Sequence, residues 1–265
     1  QTWTGWIQWY VEHNQEALDT CLMAYKVAED EKVRIPVVFG YDGYVLSYTA
    51  EPVEIPDQEE VDKWLPPNKP MPSILPDEVD PSTFGRGWGR DDPQLQWKEH
   101  HDAVVGAKDI IKEVNSSYGK VFGRRYGNGL IEEYKTEDVE AVMVAMGSLA
   151  GTARAAVDRL QADGKKVGLV KLKCFLPFPK EDFVDLGKRV GAIGMIDRNV
   201  CVGHGGAAYT QIRNAIFDVE ERPSVLEFYA GLGGKEVRVD DLYKVGEKIL
   251  KVARSGKIST SEVWV

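Results

Sequence analysis

Three glycine-rich turns are the first places where this 265-residue sequence could do chemistry. They read MGSLAG (146–151), GHGG (203–206) and GLGG (231–234). In open α/β sheets, ligands bind at the carboxyl ends of strands, where free helix amides can hold an anion. MGSLAG lacks both the GxGxxG spacing of a dinucleotide site and the Lys-Ser/Thr of a phosphate-binding loop. For GHGG and GLGG, a phosphate site and a tight turn without a ligand are the two interpretations.

A second candidate is the polar triplet Asp197-Arg198-Asn199, which ends an apolar run. It could be a site, a contact between domains, or an internal salt bridge with a helix cap. Cys201 and His204 follow closely and could form a nucleophile and base. That pair lacks a third residue to orient the base, as nucleophilic catalysis requires.

The cysteines and histidines do not form a metal pattern. The three cysteines, at 21, 174 and 201, contain no CxxC, and the adjacent His100 and His101 point to different sides of a helix. The sequence therefore predicts no metal site and no iron–sulfur site on this chain. Reduced thiols in a cytoplasmic protein are the simplest interpretation, with Cys21 in the core.

Charge and hydropathy narrow the class of protein. The net charge of −9 argues against general nucleic-acid binding, and no apolar run is long enough for a membrane span. No secretory signal opens the chain. Residues 51–62 carry six acids and no base, and residues 165–180 carry five lysines and no acid. These stretches are either solvated surfaces or docking faces for partner subunits.

The second half of the chain alternates strands with helices. Four units in a row predict a doubly wound parallel sheet with helices on both faces. The predicted strands are 141–148, 166–173, 192–199 and 224–231. The predicted helices are 149–162, 180–189, 207–218 and 240–254, with Gly164 ending the first of them.

The first half is less regular. We expect a helix at 14–29 with an apolar side formed by Ala17, Leu18, Cys21, Leu22, Tyr25 and Ala28. A strand around 35–39 reads as buried on both faces. Asp57 and Glu60 predict the N-terminal cap of a short helix. We interpret residues 66–97 as a long ordered linker. We expect a further helix at residues 99–117. We expect three parts: 1–55 as the end of an α/β domain, 56–137 as linker and connecting helix, and 138–265 as the second domain.

Four segments together resemble one protein family. They begin TGWIQWYVEHNQ (4–15), IPVVFGYDGY (35–44), VMVAMGSLAG (142–151) and MIDRNVCVGHGG (195–206). In this order they are similar to the alpha subunit of 2-oxoacid:ferredoxin oxidoreductases, the pyruvate synthase group. The resemblance implies that 1–55 ends a thiamine pyrimidine-binding domain and that 138–265 is a transketolase C-terminal-like domain.

The resemblance also implies an activity and its cofactors. The family decarboxylates a 2-oxoacid oxidatively with thiamine diphosphate and Mg²⁺, which are shared with partner subunits, and makes an acyl-CoA. Electrons pass through iron–sulfur clusters held only by partner subunits. The implied partners are subunits of the beta, gamma and delta type, and ferredoxin or another electron acceptor.

The family's subunit is expected to begin about 100–150 residues earlier, a length typical of one domain. That part carries the acidic residue that polarises the thiamine pyrimidine. Glu51 and Glu54 lie in the wrong place for this role, so no catalytic or cofactor-binding residue is assigned here.

One departure from the family pattern concerns the substrate. Members acting on pyruvate resemble Arg-x-Thr-Gly at the start of this region, with the Arg binding the substrate carboxylate. This sequence instead has Thr2, Trp3, Thr4 and Gly5, followed by Trp6. Thr2, Trp3, Thr4 and Trp6 are therefore candidates for a pocket that takes a bulkier 2-oxoacid, for example an aromatic one such as phenylglyoxylate. The alternative is that the tryptophans, including Trp9, are core or interface residues.

Two other functions stay open from the sequence alone. The chain could be a non-catalytic docking or assembly module of a redox complex. It could also be a nucleotide-binding, flavoprotein-like domain, although the missing GxGxxG argues against this.

Overall fold

A computed structural model describes residues 4–68, 93–258 and 262–265. The strands are β1 (Ile7–Tyr10), β2 (Val37–Gly40), β3 (Ile131–Tyr134), β4 (Ala141–Ala145), β5 (Val167–Leu172), β6 (Cys174–Leu176), β7 (Ala192–Asp197), β8 (Ser224–Tyr229) and β9 (Glu262–Trp264). The helices are α1 (Asn14–Ala28), α2 (Val45–Tyr48), α3 (Gln58–Trp64), α4 (Pro93–Phe122), α5 (Leu149–Ala162), α6 (Lys180–Gly187), α7 (Ala207–Ile216) and α8 (Val239–Ser255). No helix in these described ranges is long and apolar enough to cross a membrane.

The larger sheet has the strand order β3-β5-β4-β7-β8-β9. All of its pairs are parallel except β3 with β5. The four predicted strand–helix units are confirmed, and α5 has the predicted bounds. The sequence analysis missed β3 and β9, because each is a short edge strand with charged residues and no apolar run.

Helices cover both faces of this sheet, as its apolar strands require. In β4, Ala141, Met143 and Ala145 pack with α5 and α8, whereas Val142 and Val144 pack with α6 and α7. Successive side chains of the strand point to opposite faces of the sheet, so the strand contributes to two separate hydrophobic cores. The predicted fold class, a doubly wound α/β sheet following a further α/β portion, is confirmed.

The smaller sheet has the order β2-β1-β6. β1 pairs in parallel with β2 and antiparallel with β6, which lies in the chain between β5 and α6. The expectation that the strand near 35–39 is buried on both faces is wrong. All four residues of β2 are only partly buried, because β2 is the edge strand of the described sheet.

Two helices that lie in the chain between β2 and β3 also differ in detail from the sequence predictions. α4 begins and ends several residues outside the predicted 99–117, and its Ala107, Ile111 and Tyr118 pack in one core with α1 and β1. α3 forms where expected, although the Asp57 side chain makes no cap hydrogen bond. Most of the predicted linker, 69–92, lies outside the described residues. The three-part division of the chain stays a prediction.

The orientation of α1 differs most from expectation. The predicted apolar side is partly exposed, and Tyr25 has 57% of its surface accessible. The helix instead buries the side formed by Glu16, Asp19, Thr20, Met23, Ala24 and Val27. Cys21 is consequently half-buried rather than part of the core.

This orientation predicts a pattern of cysteine labelling. Under native conditions a maleimide should modify Cys21 and Cys201, which are both partly exposed, but not Cys174. Burial raises the pKa of the Cys174 thiol to about 12, so it carries almost no reactive thiolate. Peptide mass spectrometry with and without denaturant checks this. Protection of Cys21 equal to that of Cys174 would contradict the orientation of α1.

Candidate functional site at the carboxyl edge of the sheets

A buried ion cluster explains the orientation of α1. The Glu16 carboxylate is fully buried and accepts hydrogen bonds at 2.6 Å from both the Lys171 and the Lys173 ammonium groups. Lys173 also donates to Thr20 Oγ1 at 2.9 Å. The expectation that the lysine-rich stretch 165–180 is a solvated or docking surface is therefore wrong for Lys171 and Lys173, which are 1% and 2% exposed.

The charges in this cluster stabilise one another. Burial alone would raise the pKa of Glu16, but the two ammonium groups outweigh it and lower that pKa to about 2. Burial opposes the charge of Lys171, yet the surrounding carboxylates hold its pKa above the usual value. The pKa of Lys173 is lowered, because its complete burial outweighs the attraction of Glu16.

A second buried carboxylate, Asp19, lies on the same side of α1. It accepts hydrogen bonds from the Tyr118 and Tyr126 hydroxyls at 2.7 and 2.6 Å and from Arg124 Nε at 2.7 Å. Arg124 also binds the exposed Glu54 at 2.6 Å. Glu54 therefore serves as a surface ion partner in the acidic exit from α2.

The ion cluster links α1 to the larger sheet. Glu12 lies 2.9 Å from Lys171 and accepts a hydrogen bond from Arg154 on α5 at 3.1 Å. Arg154 also binds Glu132 on β3 at 2.7 Å. Of the predicted lysine surface, Lys171 thus forms an internal link between α1 and the larger sheet.

A cavity of about 220 Å³ lies at the carboxyl edge of both sheets. Its walls come from the end of β1, the β2–α2 turn, the β4–α5 turn and the end of β7. β4 and β7 are neighbours, while β4 connects to β5 on its other side, so the strand order reverses here. Such a switch point is where open α/β sheets bind ligands.

Two of the sequence candidates meet in this cavity. Arg198 forms an ion pair with Asp42 and donates to Ser148 Oγ at 3.1 Å, and Ser148 in turn donates to Asp42 at 2.7 Å. Gly147 takes a φ of +61°, which lets the MGSLAG turn reach this position. The Arg198–Asp42 ion pair is both an internal salt bridge and a contact between the parts of the chain that carry the two sheets, so it fits both of these interpretations. The sequence analysis missed the role of Asp42, whose only signal was a turn-type Asp-Gly pair.

Other candidates are arranged differently. GHGG forms a tight turn closed by a bridge between Cys201 and Gly205, and GLGG forms a short 3₁₀ turn. Within the described residues, the Cys201 thiol and the exposed His204 imidazole make no hydrogen bond to each other. The structure does not assemble them as a nucleophile and base.

The proposed substrate-pocket residues lie at the start of the chain. Thr2 and Trp3 fall outside the described residues. Thr4 and Trp6 precede β1 and are exposed, with 43% of Trp6 accessible. Trp9 is a core residue of the smaller sheet. Trp6 alone among the described tryptophans of this stretch has a face open to a ligand or partner.

Comparison with known proteins gives the family. A family model described as pyruvate:ferredoxin oxidoreductase core domain II matches residues 139–242. Another, described as pyruvate flavodoxin/ferredoxin oxidoreductase, thiamine diP-bdg, matches residues 2–116. The chain belongs to the pyruvate:ferredoxin oxidoreductase family.

Curated relatives of this family match over nearly the whole chain. Pyruvate synthase subunit PorA of Pyrococcus furiosus is 39% identical over 273 residues, which cover 99% of this chain and 65% of the relative. Ketoisovalerate oxidoreductase subunit VorA of Pyrococcus horikoshii is 38% identical, covering 98% of this chain and 65% of the relative. The chain thus spans about two thirds of the length of these relatives.

One solved structure supports the fold alone. It is a 2-oxoglutarate:ferredoxin oxidoreductase from Magnetococcus marinus with 2-oxoglutarate, coenzyme A and succinyl-CoA bound. It is 15% identical to this chain, with a TM-score of 0.54. The match covers 92% of this chain and 42% of the chain in the solved structure.

The described residues do not fit a complete thiamine diphosphate site. Mg²⁺ that bridges a diphosphate needs converging oxygen ligands. No group of three or more His, Cys, Asp or Glu side chains in the described ranges is placed to hold a metal ion. In the cavity, Arg198 is already paired with Asp42. No chemical step is therefore assigned to thiamine diphosphate on this chain.

The ion cluster generates a prediction about stability. Glu16→Gln should destabilise the protein by roughly 3–5 kcal/mol at neutral pH, because it removes a carboxylate shared by two buried ammonium groups and leaves Lys173 without its ion partner. Ionised Glu16 stabilises the fold above its usual pKa of 4.5, and this stabilisation is lost as pH falls toward 2. The variant should lack that part of the acid sensitivity.

Urea unfolding from pH 3 to 7 measures both effects, with the exposed Glu113→Gln as the matched control. Equal stability losses in the two variants would contradict the structural role of Glu16.

Proposed function

We propose that this chain is part of the alpha subunit of a thiamine-diphosphate-dependent 2-oxoacid oxidoreductase. The enzyme oxidatively decarboxylates a 2-oxoacid to an acyl-CoA and CO₂. The observation that carries the proposal is the match to PorA over 99% of this chain, together with a thiamine-binding family model over residues 2–116. CoA as the acyl acceptor is part of this proposal, because the family resemblance of the sequence implies it.

In this proposal, other polypeptides supply the remaining cofactors and the path for electrons. We propose that beta-, gamma- and delta-type subunits hold the diphosphate, its Mg²⁺ and the iron–sulfur clusters, and pass electrons to ferredoxin or another acceptor. The names of the relatives support this, because each is called a subunit. We also retain the cytoplasm as the proposed location.

For the substrate we propose a 2-oxoacid bulkier than pyruvate, such as phenylglyoxylate. The support is Thr2 in place of the Arg of pyruvate-type members, with Trp3, Thr4 and the partly exposed Trp6 beside it. Relatives named for pyruvate and for ketoisovalerate match this chain almost equally well, so family membership leaves the substrate open.

A second candidate function is a non-catalytic assembly module. It is favoured by the exposed aromatic and aliphatic side chains after β2, which include Tyr44, Tyr48 and Ile55, each at least 75% accessible. Exposed apolar surface of this kind marks an interaction site.

The two functions predict different results for the natively purified complex. Mass spectrometry should identify iron–sulfur and thiamine-binding partner subunits, and a viologen dye should be reduced only when CoA and a 2-oxoacid are both present. A complex that contains these partners but shows no CoA-dependent reduction would favour the assembly module. A stable, colourless 30-kDa monomer would contradict both.

The substrate proposal predicts the effect of restoring the arginine. In the assembled enzyme, Thr2→Arg should raise kcat/KM for pyruvate by roughly 10- to 100-fold, since an arginine–carboxylate hydrogen bond contributes about 1.5–3 kcal/mol. Thr49→Arg at an exposed site is the control. If the unaltered enzyme uses both substrates equally well, the bulky pocket is wrong.

A further inference from the structure

The loop between β7 and α7, residues 198–206, is fixed at both ends by buried carboxylates. At its start, the Asn199 amide donates to Asp197 Oδ1 at 3.0 Å. At its end, the Gly206 amide donates to Glu227 Oε1 on β8. Asp197 is 1% exposed and Glu227 is 4% exposed. The two carboxylates therefore hold a loop whose first residues form a wall of the switch-point cavity.

The two carboxylates converge on one point. A Cβ atom added to Gly206 would lie 2.6 Å from Glu227 Oε1 and 2.9 Å from Asp197 Oδ2. Position 206 thus has no room for a side chain, and the two oxygens share the space beside its backbone. Asp197 Oδ2 has no hydrogen-bond partner within the described residues.

No cation balances this pair. Among the described ion pairs, none involves Asp197 or Glu227, and the neighbouring Arg198 is paired with Asp42. Two adjacent buried carboxylates cannot both be ionised without a large cost.

The titratable groups that face the pair add no positive charge either. Tyr10 from β1 lies close enough to sense the charge of Asp197. The Tyr229 hydroxyl bonds to Glu227, and Glu262 on β9 lies near Tyr229. From α7, the Ala208 amide approaches Asp197. Every charged neighbour named here is acidic.

We propose that Asp197 and Glu227 share one proton, and that this proton keeps the 198–206 loop closed against the larger sheet. Asp197 Oδ2, which has no hydrogen-bond partner within the described residues, then donates to Glu227. Loss of the proton leaves both carboxylates charged, and their repulsion weakens the Gly206 anchor and releases the loop. The protein would thereby couple pH to the shape of the cavity.

The pKa of Asp197 agrees with this geometry. Burial raises it from 3.8 to about 6, and the charge of Glu227 adds to the increase. Because the pKa is higher in the folded protein than in the unfolded chain, the stabilising proton is fully bound below about pH 4 and is lost as pH rises through about 6. The loop should be closed at pH 5 and released at pH 8.

Hydrogen exchange of the full chain tests the proposal. Peptides that cover 198–206 should lose about tenfold or more of their protection between pH 5 and 8, after correction for intrinsic exchange. Peptides from β4 should show no such change. In Asp197→Asn, the side-chain amide can donate to Glu227 permanently, so loop protection should stay high at both pH values. Asp185→Asn, an exposed position on α6, should keep the wild-type profile.

Glu227→Gln provides a second, independent variant, because it removes the other charge and should also abolish the pH dependence. The infrared carboxyl C=O band of the wild type should be present at pH 5 and absent at pH 8, and missing from Asp197→Asn. Wild-type protection that does not change with pH would overturn the proposal. So would pH-dependent protection that persists in both variants, or a wild type without the carboxyl band at pH 5.

Discussion

The buried contact of Glu16 with Lys171 and Lys173 determines how the two sheets fit together. It draws the polar side of α1 inward and leaves the apolar side partly exposed. Buried charges are tolerated only when their partners and hydrogen bonds are nearly complete. Here Glu16 accepts hydrogen bonds from both ammonium groups and from the Glu12 amide. Asp19 accepts hydrogen bonds from two tyrosine hydroxyls and from Arg124. These donors meet both carboxylates in only one position of α1, and any other position would leave buried charges without partners. The contact therefore contributes more to the specificity of the fold than to its net stability.

The same contact shows where reasoning from sequence stops. The predicted units of the larger sheet are local: an apolar run, a turn and a periodic helix can be recognised within about thirty residues, and α5 was placed correctly. The orientation of α1 depends on lysines more than 150 residues away. Hydrophobic periodicity assigns every charge to the surface, and this assumption fails when a charge has a distant partner. One signal was available, because Lys171 and Lys173 alternate with apolar residues in a buried strand.

The candidate site could also be predicted only in part from the sequence. The sequence indicated that MGSLAG and Asp197-Arg198-Asn199 each lie at the end of a β-type run. It could not indicate that Asp42, from a separate sheet, closes the same cavity, because that depends on how the sheets pack. The carboxylate pair was also hidden, since Glu227 lies inside an otherwise apolar strand and had no motif. Family membership places the chain in a class of enzymes, but the arrangement around Asp197 follows from the packing of β7, β8 and α7.

The pairing of β6 with β1 has a consequence for synthesis of the chain. β1 lies at residues 7–10, whereas β6 lies at 174–176, beyond three strands of the other sheet. A ribosome makes the polypeptide from the amino end, and domains usually fold in that order. The smaller sheet cannot acquire its third strand until most of the larger sheet's first half has been made. The smaller sheet therefore completes its folding late, on a scaffold that is translated after its first two strands.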